Sequence, residues 1–429
     1  MLIHNSKTTQ SLRLVICVSI VAYILLWLLD TRHFYLILKQ LQLIVLSMVV
    51  ATLFLDTKKI RPNSALCIWS IIFVVIATLS TNASLNYLVS SIKIWLDFFL
   101  IAFGVLLWLV FSKQLSKSTE LILLVIVLVF LIGSCPTTLL ELYDQMPVEP
   151  LGSWPEGFEL THSFDLSLYE HLRVYSFHAF IAAASAYSLW RIEAKSKGKK
   201  YFYLCCFAVC LLALLLAYGR GSILAFLVFV ACDTYLAYGV SRAIKVLGLN
   251  ILLIGLIYAL FMFTPFSVVS EYLFSSFLPG GDGEVLQIAN SVSSGRLTMW
   301  VEGINLAKES PVFGHGASSA VWLFADTPYS FASQPHNVFV QITMDYGFVG
   351  ACVLIWIVCS LYIPIVINVI KESHSVGYGG ALLAILAGYA AYSLTDGVFY
   401  HPYPLLHFTI ISVLLFSLEN RGYCKDIPS

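Results

Sequence analysis

Residues 337–370 read NVFVQITMDYGFVGACVLIWIVCSLYIPIVINVI, an apolar run whose one charged position, Asp345, falls in Met344-Asp345-Tyr346-Gly347. A spanning helix needs about 20 apolar residues, so this run is too long for one straight span. The aspartate and glycine predict a half-helix or tilted start, followed by a span. Just before the run stands Ser333-Gln334-Pro335-His336-Asn337. Proline in a first turn with serine ahead of it predicts a helix N-terminus at His336. The positive end of that helix would favour the neutral imidazole.

Working outward, comparable apolar runs lie near 12–29, 34–55, 64–80, 86–111, 119–135, 169–190, 201–218, 222–240, 245–265, 378–398 and 403–419. With 337–370 they predict an all-α, polytopic membrane protein of about twelve transmembrane helices. Composition agrees: of 429 residues 59% are hydrophobic and 11% charged, against about 25% charged in a soluble domain. The formal net charge of zero leaves no overall basic footprint for nucleic acid. Leu12 to Leu29 lacks a small-x-small cleavage site and reads as a retained span. The Cys205-Cys206-Cys210 cluster has no neighbouring His or second Cys pair, so it reads as helix packing.

Loop charge assigns the sides. Lys7, Arg13, Lys58, Lys59, Arg61, Lys113, Lys117, Arg191, Lys195, Lys197, Lys199, Lys200, Arg242, Lys245, Lys371, Arg421 and Lys425 are 17 of the 24 basic residues, and all fall on one side. Arg32, Arg173, Arg220, Arg296 and Lys308 fall on the other, and Lys39 and Lys93 lie within spans. The positive-inside rule then predicts cytoplasmic termini. Two longer external loops follow: 136–168, acidic and Pro-rich, and 266–336. The second is expected to hold a helix from Arg296 to Lys308, capped by Ser293 or Ser294. Leu297, Trp300, Ile304 and Ala307 would form its apolar stripe, lying on the membrane or on the bundle. The organisation is therefore 1–200, the first six spans with loop 136–168, and 201–420, the last six with loop 266–336.

Three polar islands share the external side: Tyr218-Gly219-Arg220-Gly221-Ser222, Ser294-Gly295-Arg296-Leu297 and the segment at His336. Charged groups in a membrane protein are costly unless used. Arg220 would end the seventh span, its flanking glycines leaving room for a ligand; the bland alternative is an arginine snorkelling to headgroups. Arg296 offers a planar fork that grips phosphate, or else a solvated helix face. His336 is a candidate general base, or an interface histidine. Asp396 and His401, in Thr395-Asp396-Gly397-Val398-Phe399-Tyr400-His401, border the last external turn. Asp396 could orient His336 or pair with an arginine. Lys93 and Asp97, four apart, read as a buried ion pair, with a role in ligand binding as the second reading. His315, in Phe313-Gly314-His315-Gly316, reads as a turn residue. HExxH, DxD, P-loop, GxSxG and strand-borne GxGxxG motifs are missing, so the residues imply neither a metal nor a cofactor.

Arg220, the loop SGRLTMWVEGINLAKESPVFGHG, the stretch QPHNVFVQITMDYGFVG and the late Asp396 resemble the O-antigen ligase and Wzy-type polymerase superfamily. The resemblance covers roughly residues 200–400. It implies a GT-C-like fold with short helices in a large periplasmic loop, in the bacterial inner membrane. It implies inverting transfer of a glycan from undecaprenyl diphosphate, with no metal, to an acceptor hydroxyl at the periplasmic face. By resemblance, Arg220 and Arg296 bind the diphosphate, His336 activates the acceptor and Asp396 matches a late aspartate of the ligases; Asn337, His401 and Lys93 are added as supporting candidates on their positions alone. The acceptor would be lipid A-core in a ligase, or another lipid-linked glycan in an O-antigen or capsule polymerase. The order Arg, Arg, His, Asp matches the ligases. A transporter of lipid-linked glycans is the alternative from another class, and a scaffold protein ranks last.

Overall fold

The structure is a computed structural model. It describes residues 64–84 with Ser90 and Lys93, then 115–145, 172–193, 196–264, 293–371 and 377–419, apart from single positions within these ranges. The spans expected at 12–29 and 34–55 lie outside the described residues, as do nearly all of 86–111 and the partner Asp97 expected for Lys93. Every described element is helical, and no strand occurs among the described residues. In chain order they are α1 Ser64–Ala83, α2 Leu115–Leu128, α3 Cys135–Gln145, α4 Leu172–Glu193, α5 Lys197–Leu216, α6 Arg220–Tyr238, α7 Val240–Phe261, α8 Arg296–Ala307, α9 Ala320–Leu323, α10 Val338–Lys371, α11 Tyr378–Ser393 and α12 Pro402–Glu419. Among the described residues, five helical stretches are long and apolar enough to cross a membrane: Thr119–Gln145, α5, α6, α7 and α10.

Helix α4 occupies the centre. It is buried on nearly every side from Leu172 to Leu189, as befits a helix with no consistent polar face. Ala179, Ala182, Ala183, Ala184 and Ala186 leave almost no side-chain bulk, so the helices around it approach closely. Phe177 stacks on Tyr392 of α11 with ring centroids 5.6 Å apart. The first turns of α4 and α6 and the last turn of α11 thereby come to one place.

Two expectations are corrected. The loop expected to start at 136 does not: the helix continues through Pro136 to Gln145. Proline lacks an N–H and its ring clashes with the carbonyl four residues back. Residues Val129–Ser134 avoid the clash by forming a π turn, in which the Cys135 N–H donates to the Phe130 carbonyl. The apolar stripe of α8 is also shifted. Met299, Gly303 and Ala307 are the buried positions, and Ile304 is exposed. They pack on Val340 and Met344 of α10 and on Phe324. At Gly303 an added Cβ would lie 2.6 Å from Val340, so the helix axis leans toward its glycine.

The interruption expected in the long apolar run is present. Gly347 breaks α10 with φ 71° and ψ 174°, splitting it into a short first piece and a long second one. The 311–320 loop is seated on this break by backbone bonds. His315 N–H donates to Met344 O (2.9 Å), Gly316 N–H to Asp345 O (3.0 Å) and Phe348 N–H to Pro311 O (2.7 Å). A Cβ on Gly347 would lie 2.5 Å from the Val312 carbonyl oxygen. The Asp345 carboxylate accepts from Ser319 N–H (3.0 Å), Ser319 Oγ (2.8 Å) and Gln341 Nε2 (2.8 Å). His315, as its turn reading implied, has a structural bond: its Nε2 lies 2.9 Å from the Leu306 carbonyl at the end of α8.

Gly347→Ala combines a disfavoured positive φ with a steric clash. It should cost about 1–3 kcal/mol and lower the thermal unfolding midpoint of the detergent-purified protein. An unchanged midpoint would remove Gly347 as the hinge of α10.

Candidate active site

His336 precedes α10 in a left-handed backbone conformation, φ 54°, which is uncommon for a non-glycine residue. Its neighbours hold it there. The Trp300 indole donates to the Pro335 carbonyl at 2.9 Å. Asn337 caps α10, its Oδ1 accepting from the N–H groups of Phe339 (2.9 Å) and Val340 (3.2 Å). Its Nδ2 donates to the Leu394 carbonyl at 3.0 Å. This corrects the expected N-terminus: the cap is Asn337, not Ser333, and Pro335 lies ahead of the helix.

Asp396 sits in the turn after α11. Its Oδ1 lies 2.9 Å from His336 Nδ1 and also accepts from Gly397 N–H at 2.8 Å. The pair is mostly buried, with side-chain exposures of 13% for His336 and 10% for Asp396. An ionised carboxylate only accepts, so the proton lies on Nδ1 and Nε2 carries the lone pair.

Two arginines, Arg173 and Arg296, bear on the pair, and a third, Arg220, bears on Arg296. Arg296 opens α8 and its Nη1 donates to the Thr395 carbonyl. Its cap is Gly295, φ 76°; Ser293 contributes by accepting the Leu297 N–H at 3.4 Å, and Ser294 lies outside the described residues. Arg220 opens α6 after Gly219 instead of ending the preceding helix. Its flanking glycines are not open to a ligand. A Cβ on Gly219 would lie 2.6 Å from Ser176 Oγ, and one on Gly221 would lie 2.6 Å from Thr395 Oγ1. The glycines instead let α6 press against α4 and α11, which brings Arg220 to the group. Arg173 of α4 completes the set, with Nη1 3.0 Å from His336 Nε2 and 3.4 Å from Nδ1.

These charges set the titration of the pair. Burial lowers the pKa of His336, as do Arg173 and Arg296, against the pull of Asp396, so the imidazole is neutral at pH 7. Burial opposes the charge of Asp396, but the His336 hydrogen bond and the charges of Arg173 and Arg296 outweigh it and hold the carboxyl well below its usual range. Burial also lowers the pKa of Arg296, with Asp396 opposing and Arg173 and Arg220 reinforcing.

The expected residues are thus mostly gathered: Arg296, His336, Asn337 and Asp396 by direct bonds, and Arg220 by its field on Arg296. His401 reaches the rim through Gln334, whose Nε2 lies 3.3 Å from His401 Nε2. Lys93 follows Ser90, whose hydroxyl donates to the Ala317 carbonyl (2.9 Å), so that segment is tied to the loop before α9. Among the described residues, no three His, Cys, Asp or Glu side chains gather as a metal site. Sequence reasoning passed over Arg173, although it stood among the few external basic residues. It also missed Trp300 as a backbone anchor and Tyr392, whose Oη donates to the Arg173 carbonyl at 3.2 Å.

Guanidiniums gathered beside a buried His–Asp pair can, chemically, hold an anion next to a base. Residues 205–355 match the family described as O-antigen ligase. The match covers about a third of the chain and includes Arg220, Arg296 and His336, but neither Arg173 nor Asp396. No curated protein matches the chain.

Asp396→Asn removes the counter-charge of the cluster and should cost about 3 kcal/mol at neutral pH. A depressed carboxyl pKa stabilises the fold above its unfolded value, about 4, and that stability is lost as pH falls below it. The gap in unfolding midpoint between wild type and variant should therefore persist from neutral pH to about pH 5 and close only in stronger acid. A gap that closes between pH 7 and pH 5 would contradict this assignment.

Proposed function

We propose that the protein is an inverting glycosyltransferase that moves a glycan from undecaprenyl diphosphate to an acceptor hydroxyl, most closely an O-antigen ligase acting on lipid A-core. The observation that carries the reading is a neutral, Asp396-oriented imidazole set among Arg173, Arg220 and Arg296. Arg173 and Arg296 both bear on the His336–Asp396 pair and Arg220 bears on Arg296, a gathering of guanidiniums suited to the oxygens of a diphosphate.

Arg220 and Arg296 grip the diphosphate oxygens, and their charge stabilises the departing anion. This lets the reaction run without a divalent metal. His336 Nε2 takes the proton of the acceptor hydroxyl as its oxygen bonds to the anomeric carbon. The bond from that carbon to the diphosphate oxygen breaks, and undecaprenyl diphosphate leaves with the electron pair. Asp396 fixes the tautomer and stabilises the imidazolium that forms. Attack opposite the leaving group inverts the anomeric configuration. The family match and five apolar helices support a multi-pass membrane enzyme; loop charge supports a periplasmic site in the bacterial inner membrane.

The test is transfer by purified protein in nanodiscs, with EDTA, undecaprenyl-diphosphate-linked glycan and lipid A-core. Wild type should form glycosylated lipid A-core, and His336→Ala should lose about 10²–10⁴-fold in rate. Arg296→Lys keeps the charge but loses the fork and should raise KM for the donor. Longer lipid-linked chains without a lipid A-core product would make the enzyme a polymerase. Glycan translocation with no new bond would replace both readings with transport.

A further inference from the structure

The side chain of Arg173 reaches no carboxylate among the described residues. Its hydrogen-bonding contact is with the His336 ring, and the similar distances, 3.0 Å to Nε2 and 3.4 Å to Nδ1, put Nη1 over the ring instead of at the end of one lone pair. A guanidinium resting on a neutral ring makes a much weaker contact than one paired with phosphate. The backbone beneath it is fixed, for the Arg173 carbonyl accepts from Ser176 Oγ (2.8 Å) and Tyr392 Oη (3.2 Å). The side chain can therefore turn about a stationary Cα.

We propose that Arg173 is a donor-responsive gate on His336: in the empty site its guanidinium lies on the imidazole and suppresses its basicity, and an incoming diphosphate draws it off the ring, so the base reaches full strength only beside a bound donor. The gate deepens the transferase reading and rests on it for the identity of the anion. Among the described residues, the charged and titratable groups around His336 are Asp396 after α11, Arg173 of α4 and Arg296 of α8, with Tyr392 and Arg220 bearing on Arg296 and His401 reached through Gln334. Of these, Arg173 has its guanidinium on the ring and no other side-chain hydrogen bond among the described residues. Burial, Arg173 and Arg296 together hold the imidazole pKa down against Asp396. Pairing Arg173 with phosphate oxygens cancels part of that effect, and the diphosphate charge adds a pull in the same direction.

Two measurements test the gate. The first needs no transfer: the His336 titration is followed by ¹⁵N NMR of histidine-labelled full-length protein in nanodiscs, with and without farnesyl diphosphate. In wild type the His336 pKa should rise by about one unit or more on binding. In Arg173→Gln the empty-site value should already be higher and the rise on binding smaller, while Arg173→Lys should recover part of the suppression. An unmoved His336 pKa on binding, or equal rises in wild type and Arg173→Gln, would overturn the gate. Failure of the diphosphate to bind would overturn both the gate and the diphosphate reading of the site. The second measurement compares pH profiles of transfer. The acid limb of kcat should lie at higher pH than that of kcat/KM for the donor, and the separation should shrink in Arg173→Gln. Coincident limbs in wild type would also overturn it. A normal NMR response with no transfer of any kind would keep the gate and discard the transferase reading.

Discussion

The structure depends on one electrostatic constraint: guanidiniums gathered at one end of an apolar bundle, with the Asp396 carboxylate set among them. A buried guanidinium is tolerated only when its donors are used and its charge answered. Arg296 gives a donor to the Thr395 carbonyl and shares the field of Asp396. The turn after α11 is therefore more than a connection. Its carbonyls at Leu394 and Thr395 receive Asn337 and Arg296, and its carboxylate receives His336. Two helix starts, α8 and α10, are held in register by this one turn. Helix N-termini carry partial positive charge, so arginines that open α6 and α8 add to it. The arrangement is unfavourable for an empty site and favourable for an anion.

The imidazole shows how this balance yields a usable group. Burial and the guanidiniums keep it neutral, and Asp396 fixes which nitrogen bears the proton. Neither effect alone makes a base. A neutral histidine without the carboxylate could present the wrong nitrogen, and a carboxylate without the arginines would raise its pKa toward the charged form. The positive φ at His336 adds a third condition, since the ring direction depends on a backbone state that Trp300 and Asn337 maintain.

Much of this was legible in the residues. Polarity stands out against an apolar background, so Arg220, Arg296, His336 and Asp396 could be picked without coordinates, and Asp345-Tyr346-Gly347 marked the break in α10. What was not legible depends on distance across the chain. Arg173 is 163 residues from His336 and sits in a run that reads as one more span. The glycines around Arg220 looked like space for a ligand, yet their room is taken by Ser176, Tyr392 and Thr395. The helix through Pro136 was hidden because a proline reads as a stop, and only a local π turn shows how the chain passes it.

The seat of the 311–320 loop has a consequence for how such a protein can vary. The bonds from His315, Gly316 and Phe348 to Pro311, Met344 and Asp345 are made by main-chain atoms, and main-chain atoms are indifferent to most side chains. The constraint falls on Gly314 and Gly347, where the two backbones touch. Of the remaining positions 316–319 are buried and Ser319 holds Asp345, so free exchange of size and charge is confined to the exposed positions 311–313. A seat made by main-chain atoms thus lets three surface positions drift in sequence while the break in α10 keeps its shape.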